Sequence, residues 1–109
     1  MSDGYKVSHS GGPPSGAVVD TDGTQEVLPK QEEYKGTESK RKYALFTALK
    51  TNTNPIWLSL SYTAAAAVGA GVPLYPGDSY EILDANLYLG PVRAIVAAGT
   101  ESLAIQVGF

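Results

Sequence analysis

Residues 71–90 read GVPLYPGDSYEILDANLYLG, and the punctuation of this stretch decides the fold class. Leu74 and Tyr75 close an apolar run. Pro76-Gly77 follows as a turn, with Pro presetting φ at the first corner and Gly supplying φ > 0 at the second. From Asp78 to Leu83, Tyr80 and Ile82 alternate with Ser79 and Glu81, which is the period of a strand with one wet face. Asp84-Ala85-Asn86 is a second turn. Leu87-Tyr88-Leu89 resumes extended structure until Gly90-Pro91 breaks it. Two strands therefore meet at a tight corner, and a third leaves from the far end.

Working outward, the same grammar repeats. Tyr43–Leu49, YALFTAL, is a mostly apolar strand, and Thr51–Asn54 is turn sequence. Pro55 stands at the entrance of the next strand, where its missing N–H does least harm. There Ile56, Leu58 and Leu60 share one face, with Trp57 and Ser59 on the other; the spacing predicts a hairpin with four turn residues. The segment TAAAAVGAG (63–71) contains a run of four consecutive alanines, but Gly69, Gly71 and Pro73 close it too soon for a helix, so it reads as a loop. Toward the C-terminus, VRAIVAA (92–98) turns at Gly99-Thr100 into Glu101–Val107, where Leu103, Ile105 and Val107 alternate with Ser102, Ala104 and Gln106. This predicts a terminal hairpin. Five to seven short strands with turns about every ten residues describe an all-β chain, a small β-sandwich or Greek-key barrel.

Composition divides the chain near Lys40. Residues 1–40 hold nine of the AVILMFWYC set and residues 41–109 hold 38. The first part, with seven acids and four lysines, carries the whole net charge of −3, while the second balances four against four. With the Gly11–Gly16 run, which suits neither helix nor central strand, this predicts an extended N-terminal arm over 1–40 and a β-sandwich domain over 41–109. Such an arm gains order by binding. Its apolar islands Val18, Val19, Val27, Leu28 and Tyr34 are the candidate anchors, and a chain starting at Lys40 is expected to fold. The basic run Lys40-Arg41-Lys42 reads as a solvated edge that discourages sheet-to-sheet aggregation.

Function classes narrow by chemistry. The mild negative charge and sequence pI near 4.9 offer no basic footprint for nucleic acid or an anionic membrane, and the polar, acidic N-terminus does not read as a signal peptide. There is no Cys, and the single His, His9, lies in the Gly/Ser/Pro-rich arm. Thiolate metal sites and His-based triads are thereby excluded. Asp78, Glu81 and Asp84 could in principle meet as the carboxylates of a glycosidase or as hard-ion ligands, but each occupies an ordinary turn or wet strand position. No enzyme, metal or cofactor is expected. Trp57, Tyr62, Tyr75, Tyr80 and Tyr88 could form a sugar-stacking platform, although large aromatics in such a domain more often serve the core or oligomer contacts.

One resemblance covers about two thirds of the chain. The order Asn52–Leu58, Ala64–Gly71, Val72–Glu81, Leu87–Ile95 and Gly99–Ile105, with the motifs NPIWL, LYPGDSYE, LYLGPVRAI and GTESLAI, resembles the β-sandwich domain common in small virion proteins of tailed bacteriophages. That resemblance implies a head decoration (cement) or head-fibre component. Such a protein is made in the host cytoplasm, lies on the outer surface of the capsid, binds the major capsid protein and does no chemistry. It also implies a homotrimer, for which Trp57 and Tyr88 are the candidate contacts. In this reading the arm anchors the shell and the sandwich is an exterior knob, while a carbohydrate- or receptor-binding module is the alternative.

Overall fold

A computed structural model describes residues 14–30, 41–83 and 87–108. It is all-β, with eight strands: β1 (Ser15–Val19), β2 (Glu26–Leu28), β3 (Tyr43–Ala48), β4 (Ile56–Leu60), β5 (Val72–Leu74), β6 (Ser79–Ile82), β7 (Val92–Ile95) and β8 (Glu101–Gly108). They form two four-stranded sheets, the first in the order β1-β8-β3-β6 and the second in the order β2-β7-β4-β5. All pairings are antiparallel. The sandwich expected from the sequence is present, and its strand order is that of an eight-stranded jelly roll, two Greek keys wrapped into one double layer.

Alternation makes the strands. In β3 every second residue is buried, Ala44, Phe46 and Ala48, while Tyr43, Leu45 and Thr47 lie on the outer side. In β8 Glu101, Leu103 and Ile105 are buried in the same alternation, and Gly108 is buried at its end. The core between the layers joins Val19, Phe46, Ile82, Leu103 and Ile105 of the first sheet to Ile56, Leu58, Leu74 and Val92 of the second. Taking each such side chain out of water contributes about 1.5–3 kcal/mol.

The connections differ from the sequence expectation. β3 and β4 do not form a hairpin, nor do β7 and β8; in each case the second strand belongs to the opposite sheet. The reason is that β3 already has β6 and β8 on its two edges, and β8 has β1 and β3. The connections therefore arch over the end of the core. At residues 49–55 the arch is fastened by Asn52, whose side chain donates to Ser102 O (2.8 Å) and accepts from Ser102 N–H (3.0 Å). The Pro76-Gly77 corner is a third arch, from β5 to β6. Gly77 has φ 90° and the Asp78 N–H donates to Tyr75 O at 2.8 Å, which is the type II turn that Pro-Gly specifies. Residues 87–89 are not in a strand.

The boundary at Lys40 also moves. Residues 15–28, expected in a separate arm, add β1 to the edge of the first sheet beside β8 and β2 to the edge of the second beside β7. Edge strands have only one neighbour and one wet side, so they need little hydrophobicity, and their polar composition hid them. The alanine loop is a loop as expected. It returns across the second sheet, where Ala66 is buried and its N–H donates to Gly23 O at 2.8 Å.

Candidate functional site

The sequence-named anchor residues separate. Val19 is fully buried in the core, and Val27 and Leu28 are half-buried against it. Val19 is thereby a core residue, and Val27 and Leu28 spend part of their surface on the fold. Val18, one residue from Val19, is 62 % exposed because the strand alternates its faces. Tyr34 lies outside the described residues, as do His9 and Asp84.

Val18 belongs to the outer face of the first sheet. The pairing registers lay this face out in rows. A middle row runs Gly16, Ala104, Thr47, Ser79, with Thr47 and Ser79 hydroxyls 3.0 Å apart. On one side lie Val18, Ser102 and Leu49; on the other, Gln106, Leu45 and Glu81. Two shallow apolar depressions of about 300 and 200 Å³ occupy the face, meeting at Ser15 and Ala104. The Glu81 carboxylate accepts from the Tyr43 hydroxyl at 3.0 Å.

Trp57 belongs to the other outer surface. Register places it between Pro73 of β5 and Ile95 of β7, a short apolar row across the second sheet. The next row is polar. Arg93 pairs with Glu26 at 3.3 Å and donates to the Ser61 and Ala64 carbonyls, which holds the alanine loop down.

The five aromatics do not converge on one platform. Tyr80 is half-buried and packs against the core, and Tyr75 is exposed on the Pro-Gly arch. Only Tyr62 and Tyr88 meet, edge to face at 5.5 Å. Tyr88 is anchored by its hydroxyl, which donates to Pro91 O at 2.7 Å. Burial, reinforced by Tyr62, pushes its phenol above the usual range, against a smaller opposite pull from Arg93 and Arg41.

Two buried charges were not foreseen. Arg41 is 4 % exposed, so the basic run is not a solvated edge at this position. Its guanidinium donates to the carbonyls of Pro29 (3.1 Å), Gly90 (3.2 Å) and Tyr88 (3.3 Å), tying three segments at one end of the sandwich. Burial lowers its pKa, though a guanidinium stays charged. At the opposite end Glu101, also buried, accepts from the Thr53 N–H and hydroxyl and from the Asn54 N–H and side-chain amide, all within 3.1 Å. Burial alone would raise the Glu101 pKa, but these four hydrogen bonds outweigh it and hold the carboxyl below the usual range. Asp78 accepts from Tyr75 N–H at 3.1 Å and so serves its own turn. Among the described residues no three His, Cys, Asp or Glu side chains are grouped to hold a metal ion, and no helix is long and apolar enough to cross a membrane.

Comparison of the chain with protein-family models, with curated proteins and with solved structures finds no match.

Proposed function

We propose that this chain is a non-enzymatic structural protein of a tailed-phage virion, binding the major capsid protein on the outer surface of the head and stabilising the shell. The observation that carries the reading is the Trp57, Pro73 and Ile95 row. It sets an apolar surface on a rigid sheet, in a chain whose motif order resembles such proteins. Jelly rolls serve in viral shells but also in lectins, so the fold supports this reading without deciding it. Shell binding is assigned to the outer face of the second sheet, with Trp57 as its central contact; large aromatics near the middle of an interface carry much of its energy. Of the former anchor set, Val18, Val19, Val27 and Leu28 contribute through the fold, in the strands that complete both sheets.

Co-sedimentation with undecorated heads tests this. The full chain is expected to pellet with heads, and Trp57→Ala to weaken that binding by about 30-fold or more while keeping its β-type circular dichroism spectrum. Equal binding by the variant would remove the assigned surface. A second reading, carbohydrate recognition, is favoured by one contact, the exposed Tyr62 ring on Tyr88. Glycan-array binding abolished by Tyr62→Ala, with no affinity for heads, would establish it instead.

A further inference from the structure

The outer face of the first sheet has a layout with a consequence for self-association. Its middle row consists of the small residues Gly16, Ala104, Thr47 and Ser79, so a second flat sheet can approach to the roughly 10 Å of ordinary face-to-face packing. The two flanking rows are alike. One carries Leu49 and ends at Gly77, over which the aliphatic stem of Lys50 lies; the other carries Leu45 and ends at Glu81. Gly77 and Glu81 sit on the same edge segment, on opposite sides of the middle row. A half-turn about that row therefore lays Leu49 of one copy on Leu45 of the other, and the Lys50 corner of each on the Glu81 of the other. Apolar meets apolar and cation meets anion, twice, by symmetry.

We propose that this face pairs with the same face of a second copy, forming a two-fold homodimer with Thr47 close to the axis. A threefold ring, as the resemblance implies, uses two different surfaces on each subunit, whereas this face is complementary to itself. The area is modest. Four strands at normal spacing and about five residues of rise span roughly 15 by 17 Å, well short of the roughly 800 Å² per partner of a tight complex. The pair is therefore weak in dilute solution and populated at high local concentration, as on a shared surface. The proposal stands independently of the capsid reading.

Sedimentation velocity on the full chain between about 10 µM and about 1 mM is the test. A concentration-dependent monomer–dimer equilibrium is expected. Lys50→Glu and Glu81→Lys should each weaken it about fivefold or more, and the double swap should restore it to within about twofold. Ala104→Arg should leave only monomer with an unchanged circular dichroism spectrum. A trimer, a monomer throughout, or a double swap that stays weak would overturn the proposal. So would a chain lacking residues 1–13 that dimerises where the full chain does not, since the protein's own N-terminal residues would then be the occupant.

Discussion

Val18 and Val19 are adjacent valines with opposite roles, 62 % and 0 % exposed. Truncating Val19 removes two methyl groups from a packed core, so Val19→Ala should cost about 2 kcal/mol; Val18→Ala should stay within about 0.5 kcal/mol. Urea unfolding with unchanged m-values measures both. If the two substitutions cost the same, β1 does not contribute to the core. Alternation in AVV alone does not reveal which valine turns inward, because a one-residue shift of register exchanges the faces. Glu101 was more legible: Leu103, Ile105 and Val107 point inward, so the same parity sends Glu101 inward too. A buried acid then requires donors, and the Thr53-Asn54 arch supplies them. Because its carboxyl is held below its unfolded value, Glu101 contributes stability that is complete above the unfolded pKa. That contribution is lost as pH falls through the folded one. Glu101→Gln should lower the thermal midpoint at neutral pH, and the gap to the parent should shrink once pH falls below the usual carboxylate range. A gap independent of pH would mean that the charge is not what the arch recognises.

At the level of elements, the strands were readable from period-2 alternation and the Pro-Gly arch from its turn chemistry. The partners were not, because alternation shows which face is buried but not which strand lies alongside. Two short connections were read as hairpins for that reason, and both cross between layers. The edge strands β1 and β2 were assigned to an arm because their burial is one-sided and their neighbourhood acidic. Their pairing reverses one expectation. A chain starting at Lys40 lacks both edges and loses Val19 from the core, so it should aggregate or unfold well below the full chain in a thermal scan. A chain starting at Pro14 retains every described strand and should melt close to the full protein. If the shorter chain is as stable as the longer one, the two edge strands are dispensable. The alanine loop has a similar test. A Cβ on Gly23 would stand 2.1 Å from Ala66 O, so Gly23→Ala must push the loop from the second sheet, at about 1–3 kcal/mol.

At the scale of the whole molecule, the two proposals use the two outer faces separately. The row centred on Trp57 is assigned to the shell and the face centred on Thr47 to a second copy, with the polar Glu26–Arg93 row securing the loop between strands β4 and β5. Neither assignment was readable from composition, which is nearly uniform along residues 41–109; both depend on which strands become neighbours. Trp57 was legible as a contact candidate, for a trimer, because it takes an outward strand position, where it is half-buried, whereas Tyr88 looked equivalent and is instead fastened to its own Pro91. The central proposal, that this chain is part of a phage head, is tested most directly by quantitative mass spectrometry of purified virions from a phage whose genome contains the coding sequence. The account predicts many copies per particle, in a fixed ratio to the major capsid protein and retained on tailless heads. Its absence from purified particles, or its presence only in the tail fraction, would contradict the account.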